Sequence, residues 1–569
     1  MPWPQVGDAG FRPLSLPRLP EAPEPEAEEI LRGEFRPFHA SARNVGLPPE
    51  WSRNILTGEV IPSDRHWSEI GDFGGGDIKG VWELSRWPWA YPLGRAYLRN
   101  KDERYTRAFV DLALDWMDRN PPNIGPNWKC GQEASIRLMA AAWALSAFQG
   151  SPLLTEAVRA RFASLAQVTA TRVESHLSYA LSQDNNHGIS EVVGMLTAGC
   201  LWPGLSRAGR WVRKARGKLS GSCNRLFAAD GSFSQHSSNY HRVALDGLCW
   251  AAVVSNASGV ALPPAVMNAG QRGSTFLWHI LDPAGGTFRY GSDDGAYIMP
   301  LTGLPYGDFR PTLAACATLF SSPSLGPGPW NDQARLLGLE PDQKPPVAAQ
   351  TAVDLPFGGV HIRRGKGWAL FLRCPTHFRF RPSQADQLHV SIWKNGRYVT
   401  EDPGTLSYNQ PGRPWASLSS ARFHNVPMVD GLDPMQKITR FLWMPWTPCS
   451  IERCDERTLI FSHEGFPGFN VRREVRILEG EIVIEDRIDG DRDVTLSVRW
   501  NSPSRPGLEE ISVSSTHRSP VESWHHGEFS TGLGIHCQRY GHPGESWCRI
   551  VSANSRHATF TSRVQIPNQ

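Results

Sequence analysis

The chain has 569 residues, which exceeds what one hydrophobic core usually organises and predicts at least two domains. Its 59 Lys and Arg residues nearly balance its 56 Asp and Glu residues, so the net charge of +3 gives no reason to expect a nucleic-acid partner. No apolar run approaches the roughly 20 residues that a membrane-spanning helix needs, and we expect no membrane span.

The N-terminal segment is rich in Pro and Glu and lacks the basic head and apolar stretch of a signal peptide. Ten cysteines are scattered along the chain without a CxxC pair, which argues against a zinc cluster or a disulfide framework. We therefore expect a cytoplasmic protein with reduced thiols, or a periplasmic or secreted one if a leader has been removed. Residues 1–60 show no sustained periodicity and predict an extended arm.

The middle of the chain has a helical pattern. In segments such as ERYTRAFVDLALDWMDRN and QEASIRLMAAAWALSAFQG, apolar residues recur every three and four positions, and Gly or Pro ends the runs. Many such segments without intervening strands predict an all-α domain of helical hairpins over residues 61–345.

The last part of the chain has a different period. After the Pro-containing segment LEPDQKPPVAAQTAVDLP, which is typical of a linker, short segments such as HVSIWKNGRYV and GEIVIEDRIDG are rich in β-branched and aromatic residues. Gly, Asn and Asp turns separate them. This pattern predicts an antiparallel β-sandwich over residues 346–569, and the chain as a whole is a multidomain α + β protein.

The segment NWKCGQEASIR contains the first candidate substrate-binding residues, Trp128, Glu133 and Arg137. Glu133 and Arg137 lie four positions apart, so on a helix they share a face and could form an intrahelical ion pair. The alternative is that these polar and aromatic groups line a cleft for sugars.

The segment SQDNNHGISE places Asn185, Asn186 and His187 directly before an amphipathic run, which predicts a loop that enters a helix. Helix N-termini favour anions, so this position could hold a carboxylate. Helix capping by asparagine is the other interpretation.

The segment DGSFSQHSSNYH contains His236, Tyr240 and His241. If it is helical, His236 and Tyr240 share a face and could exchange a proton. A tyrosine needs nearby cations or hydrogen bonds to act as a base, because its ordinary pKa is about 10. The other interpretation is a buried aromatic residue with satisfied polar neighbours.

Taken in order, WELSR, NW with GQEASIR, NNHGISE, DGSFSQHSSNYH, YGSDDG and DPGTLSYN resemble the heparinase II/III-like polysaccharide lyases, which include alginate lyases. The resemblance spans roughly residues 50 to 480. It implies an incomplete (α/α) toroid followed by an antiparallel β-sandwich, and an anionic polysaccharide or oligosaccharide substrate.

By matching positions, the resemblance places Asn186 and His187 where the family neutralises a uronate carboxylate, and Tyr240 where it has its catalytic tyrosine. The implied reaction is β-elimination, in which the C5 proton of a uronic acid is removed and the oxygen at C4 leaves. The amide and imidazole would stabilise the enolate-like transition state, and Tyr240 would transfer a proton. The neighbouring residues that we expect to bind substrate are Trp128, Glu133, Arg137, Asn185, His236, His241 and Gln384.

One departure from the family pattern lies in the β-domain. Many relatives have His-x-His-x-Asp before DPGT, whereas this chain has Pro382 and Gln384 at the two histidine positions. Because glutamine is not an ordinary zinc ligand, we expect no metal and no other cofactor, and a divalent metal in the β-domain is the alternative that stays open. His389, the nearest imidazole on the predicted strand, could take over an acid or base role, or it could face solvent.

Two other function classes stay open. A glycoside hydrolase would need two facing carboxylates, for which Glu133, Glu191, Asp293 and Asp294 are available but not paired by sequence. A glycan-binding or exopolysaccharide-assembly protein that has lost catalysis would fit the missing histidines. Sequence does not indicate the oligomeric state.

Overall fold

The structure, a computed structural model, describes residues 2–72, 76–410, 412–413 and 415–567. The chain divides into two compact units. The first, called the helical unit, comprises Met1–Phe227, Arg242–Ser274 and Ala296–Val347. The second, called the β-rich unit, comprises Ala228–His241, Thr275–Gly295 and Ala348–Gln569. Among the described helices, none is both long enough and apolar enough to cross a bilayer.

Helices follow one another along the chain before the linker, as the periodicity predicts. They are α1 (Pro25–Leu31), α2 (Lys79–Ser85), α3 (Ala90–Asn100), α4 (Glu103–Arg119), α5 (Gly131–Ala147), α6 (Glu156–Ser182), α7 (His187–Leu201), α8 (Ala208–Leu226), α9 (Ser238–Ala257), α10 (Pro264–His279), α11 (Arg310–Phe320) and α12 (Asp332–Leu336). Residues 1–60, predicted as an extended arm, contain α1 and the antiparallel pair β1 (Glu34–Phe35) and β2 (Arg43–Asn44).

Side-chain caps begin several of these helices. The Asp102 carboxylate accepts the Arg104 backbone N–H at 2.9 Å at the start of α4, and the Thr155 hydroxyl accepts the Val158 N–H at 3.3 Å at the start of α6. Such caps satisfy backbone donors that have no partner inside the helix.

Helices α5 and α7 are buried on every side, and small residues let them pack closely. Every residue of α5 is buried, as is every residue of α7 from Gly188 onward. A Cβ at Gly194 would lie 2.3 Å from the Ser135 hydroxyl oxygen, so only glycine fits there. This close packing brings the N-terminus of α7 beside the first turn of α5.

The other unit is built from antiparallel sheets. Its strands are β3 (Ala352–Leu355), β4 (Val360–Gly365), β5 (Trp368–Arg373), β6 (His389–Lys394), β7 (Arg397–Thr400), β8 (Pro427–Val429), β9 (Gln436–Thr439), β10 (Leu442–Met444), β11 (Ser450–Cys454), β12 (Thr458–Phe466), β13 (Phe469–Leu478), β14 (Glu481–Ser502), β15 (Ile511–Ser515), β16 (Val521–His526), β17 (Ile535–Arg539), β18 (His542–Glu545) and β19 (Trp547–Gln565), with the short helix α13 (Arg505–Glu509) after β14.

Two of these sheets share one core. The first has the order β3-β4-β5-β6-β7, and the second has the order β11-β12-β13-β14-β19-β15, with β8 beside β14 and β16 beside β19. Leu370 and Ile392 of the first sheet and Val471 and Ile484 of the second lie in one buried cluster. This is the packing of a β-sandwich, and the predicted order of helices followed by an antiparallel β-sandwich is confirmed.

Candidate active site

The N-terminus of α7 carries the amides that sequence singled out. Helix α7 begins at His187, in the segment where a loop was predicted to enter a helix, and the side-chain Oδ1 atom of Asn185 accepts the His187 backbone N–H at 3.0 Å. Asn185 therefore satisfies the first backbone N–H of the helix from the position before the N-cap residue, Asn186. The Asn186 side chain instead donates from Nδ2 to the Gln132 Oε1 atom at 2.6 Å, and the Ser190 hydroxyl donates to the same oxygen at 2.8 Å.

His187 lies within a small polar cluster on α5 and α7. Its Nδ1 atom is 3.3 Å from the Glu191 Oε1 atom and 3.9 Å from the Cys130 sulfur, and 24% of its side chain is exposed. Burial opposes a positive charge, but the Cys130 and Glu191 side chains outweigh it and raise the pKa of His187 to about 10. The imidazole is therefore charged at neutral pH.

Gly131 makes room for this cluster. A Cβ at position 131 would lie 2.3 Å from the Glu191 Oε2 atom. Any other residue there would push the carboxylate away from His187. The GQE sequence thus supplies a glycine beside Glu191 and a glutamine that orients Asn186. Gln132 and Cys130 were not predicted as site residues, although both lie within the NWKCGQEASIR segment.

A pair of tyrosines forms the main feature of the β-rich unit. The Tyr240 and Tyr408 hydroxyl oxygens are 2.7 Å apart, and each side chain belongs to a residue that is 8% exposed. Tyr408 is the tyrosine of the DPGTLSYN segment, and the Tyr540 hydroxyl accepts its backbone N–H at 2.8 Å. Sequence analysis predicted Tyr240 but missed Tyr408, whose only signal was its place in a family motif.

Acidic and hydroxyl groups surround the tyrosine pair. Burial and the Asp294 carboxylate raise the pKa of both phenols well above 10, so both are neutral in the free protein. The Thr405 hydroxyl accepts the Asp293 backbone N–H at 3.1 Å, and the Ser237 hydroxyl accepts the Tyr240 N–H at 3.1 Å. These contacts fix the segments that carry the two phenols.

The two candidate histidines beside Tyr240 lie in different surroundings. The prediction that His236 shares a helical face with Tyr240 is wrong, because α9 begins at Ser238 and His236 precedes it with a φ of 48°. Burial and the Arg373 charge lower the pKa of His236 to about 3. The His241 ring stacks on Phe276, with centroids 5.1 Å apart.

His389 and Gln384 are both buried inside the β-rich unit, and each forms hydrogen bonds with other residues there. His389 is 1% exposed, its Nδ1 atom accepts the Asn425 backbone N–H at 3.1 Å, and its Nε2 atom lies 2.9 Å from the Ser391 hydroxyl. The solvent-facing alternative is therefore wrong. His389 is the first residue of β6. The Gln384 Oε1 atom accepts the Gly291 N–H at 2.9 Å.

Trp128, Glu133 and Arg137 belong to a buried network in the helical unit. Glu133 binds Arg86 through two hydrogen bonds of 2.5 and 3.0 Å, so the predicted alternative of an intrahelical pair with Arg137 is wrong. Arg137 donates to backbone carbonyls and stacks over Trp116 at 3.9 Å. Trp128 and Arg137 have no exposed surface, so in this conformation neither reaches a sugar.

The metal position that the family pattern implies near Gln384 lacks an ordinary set of three ligands within the described part of the chain. The Gln384 oxygen already accepts a backbone N–H, and Asp402 Oδ2 lies 3.3 Å from His424 Nδ1. A carboxylate and one imidazole fall short of the donor set that zinc takes. The residues present therefore do not fit a metal there, and we derive no step through one.

Comparison with known families agrees with this organisation. The model of the heparinase II/III N-terminus matches residues 76–281, and the model of the heparinase II/III-like C-terminal domain matches residues 349–536. Together they cover more than half of the chain.

Among curated proteins, the chain is similar to two proteins named heparin-sulfate lyase. It is 27% identical over 164 residues to one from Bacteroides thetaiotaomicron, covering 28% of this chain and 23% of that protein. It is 24% identical over 198 residues to one from Bacteroides stercoris, covering 31% and 29%. The matched part thus spans less than a third of each relative.

Among solved structures, heparinase III shares the fold. Its TM-score is 0.66 at 15% sequence identity, over 96% of this chain and 85% of that chain. The predicted fold class, an (α/α) toroid followed by an antiparallel β-sandwich, is confirmed by this likeness. The two family models and this shared fold show that the chain belongs to the heparinase II/III-like family.

Proposed function

We propose that the protein is a polysaccharide lyase that cleaves uronate-containing polysaccharides by β-elimination. The observation that carries this proposal is the 2.7 Å contact between the Tyr240 and Tyr408 hydroxyls. A uronate lyase must remove one proton and supply another, and two phenols that are hydrogen-bonded to each other can do both. Family membership and the names of the curated relatives support the same reaction class.

Asn186 and His187 stabilise the negative charge that develops on the sugar. The C5 proton of a uronate is weakly acidic while the carboxylate keeps its charge, so groups that bind the carboxylate lower the barrier. The Asn186 amide is oriented by Gln132, and the Nδ1 atom of His187 faces Glu191, which leaves the Nε2 edge for the substrate. Preoriented donors of this kind stabilise an enolate-like transition state without reorganisation.

Tyr240 and Tyr408 transfer the two protons of the reaction, one from C5 of the sugar and one to the leaving oxygen. One phenol oxygen accepts the C5 proton while its own hydroxyl proton passes to the other phenol, the electron pair of the C5–H bond forms the C4–C5 double bond, and the C4–O bond breaks with its electron pair on the leaving oxygen. The leaving oxygen takes a proton from a phenol. Because the two hydroxyls are hydrogen-bonded, this relay of protons leaves both phenols neutral, as they are in the free protein.

The substrate class to test first follows from the relatives. Both curated relatives are named heparin-sulfate lyase, so we propose heparan sulfate or a similar anionic glycosaminoglycan. Alginate, hyaluronan and bacterial exopolysaccharides present the same carboxylate to Asn186 and His187 and belong in the same panel.

Absorbance of the unsaturated uronate distinguishes the proposed reaction from its alternatives. The protein is incubated with each polymer of the panel, and the conjugated double bond is followed in the ultraviolet. We expect absorbance to rise with at least one polymer. New reducing ends without absorbance would indicate a hydrolase, and binding without products would indicate a glycan-binding protein; either result would overturn the proposal.

Replacing Glu191 should change the pH dependence of substrate binding. The pKa of His187 lies at about 10, above its ordinary value of about 6.5. The imidazole therefore keeps its charge at neutral pH and loses it as the pH rises through about 10. Glu191→Gln removes one of the groups that raise this pKa, so KM should rise at a lower pH than in the wild-type protein.

KM measured from about pH 6 to about pH 11 tests this prediction. Glu174→Gln is the matched control, because Glu174 is a buried carboxylate on α6 that binds Arg210 instead of His187. Its KM profile should follow the wild type. Identical profiles for Glu191→Gln and the wild type would show that Glu191 does not set the charge of His187.

A further inference from the structure

Three potential metal ligands meet at one margin of the β-rich unit. Asp354 lies on β3, His361 on β4 and Cys454 at the end of β11. The Asp354 Oδ1 atom is 2.8 Å from His361 Nδ1 and 3.1 Å from the Cys454 sulfur, and that sulfur is 3.5 Å from His361 Nδ1. A carboxylate, an imidazole and a thiol thus face a common point.

These separations are close to those around a tetrahedral zinc ion. With Zn–N and Zn–O distances of about 2.0 Å and a Zn–S distance of about 2.3 Å, ligand atoms lie about 3.3 to 3.6 Å apart. The sulfur–nitrogen separation of 3.5 Å already matches. The two distances from the Asp354 oxygen are shorter, so an ion would move the carboxylate outward by about half an ångström.

The three side chains differ in what they need before they can bind a metal. Burial lowers the pKa of His361, which keeps the imidazole neutral, but its Nδ1 atom donates to Asp354, so this proton must move to Nε2 when Nδ1 binds a metal. The hydrogen bonds from His361, Arg363 and Cys454 outweigh burial and lower the pKa of Asp354. Burial and the Asp354 carboxylate raise the pKa of the Cys454 thiol to about 12, so its proton must leave when a metal binds.

Arg363 holds the carboxylate without closing the cluster. Its guanidinium binds both oxygens of Asp354, at 3.0 and 3.1 Å, and is fixed by backbone carbonyls that include Asp455 O at 2.8 Å. The Asp354 side chain is 38% exposed, so water can reach the fourth position of an ion. Once the thiol proton has left, Asp354 and Cys454 are two anionic ligands against the one arginine, which suits a divalent cation.

We propose that Asp354, His361 and Cys454 bind Zn²⁺ or a similar thiophilic divalent cation, with water as the fourth ligand. Strand β3 is at the edge of one sheet and β11 is at the edge of the other. A bound ion would therefore fasten two edge strands from opposite sheets. The ion would have a structural role. None of its three ligands belongs to the tyrosine pair, so this proposal does not depend on the proposed lyase reaction.

Cobalt substitution of the full chain tests the site. The purified protein is stripped with a chelator and titrated with Co²⁺, whose bond to a thiolate gives a charge-transfer absorption. We expect one equivalent of Co²⁺ to produce this band and Zn²⁺ to displace it. Zn²⁺ should also raise the thermal unfolding temperature, because it binds only the folded site.

Variants assign the band to this cluster. Cys454→Ser should abolish it, and His361→Gln should weaken Co²⁺ binding by at least about tenfold. Cys130→Ser is the matched control, since Cys130 is also partly exposed and lies beside a histidine and a carboxylate. It should keep the band. The proposal is overturned if the wild type shows no thiolate band, or if the band survives in Cys454→Ser or disappears in Cys130→Ser.

Discussion

Tyr240→Phe is expected to reduce the rate of unsaturated product formation by about 10²- to 10⁴-fold, the range for loss of a general acid or base. The change removes one oxygen and leaves the ring packing intact. It also takes away one hydrogen-bond partner of the Tyr408 hydroxyl, which is 2.7 Å from the Tyr240 hydroxyl. The rate constant kcat should therefore fall while polysaccharide binding is retained, as measured by steady-state absorbance and by direct titration with the polymer.

The partner and a control make this prediction specific. Tyr408→Phe should lower kcat to a similar extent, and the double variant should be little worse than either single one, because residues that act as a unit are not additive. Tyr398→Phe is the control, since its buried hydroxyl donates to Asp282 at 2.8 Å and touches neither phenol. Full activity in Tyr240→Phe would remove this residue from the chemistry.

The fold class could be predicted because its signals are local. Helical periodicity and turn residues are read within short windows, and the change of period near the linker marks the start of the β-strands. The signal for the start of α7 was equally local, because the Asn185 side chain accepts the backbone N–H of His187, which is only two residues away. The boundary of α9 was missed, although Ser237, which accepts the Tyr240 N–H, is an ordinary capping signal.

The partners in the candidate site could not be predicted, because they come from distant parts of the chain. Tyr408 follows Tyr240 by 168 residues, and Arg86 precedes Glu133 by 47. The four-residue spacing on a helix suggested Arg137 as the ion-pair partner of Glu133, but Glu133 pairs instead with Arg86, which directly follows helix α2. Family resemblance indicated which segments matter, yet it did not distinguish a residue that contacts substrate from one that supports the fold.

Arg86→Met is expected to destabilise the helical unit by about 3–5 kcal/mol, the usual result of removing one partner from a buried ion pair. Arg86 lies between Glu133 and Glu83, and its Nη1 atom is 3.0 Å from the Glu83 carboxylate. All three side chains are at most 6% exposed. Without the guanidinium, the two buried carboxylates lose the positive charge that both of them contact.

Urea unfolding followed by far-ultraviolet circular dichroism measures this loss as a lower midpoint of the helical transition. Arg119→Met is the matched control, because Arg119 pairs with Asp115 on exposed α4 surface and should cost at most about 0.5 kcal/mol. Adding Glu133→Gln to Arg86→Met should restore part of the stability, since it removes one stranded charge. If Glu133→Gln alone left stability unchanged but weakened polysaccharide binding, Glu133 would be a substrate ligand as first predicted, and the WELSR and GQEASIR motifs would serve binding instead of the core.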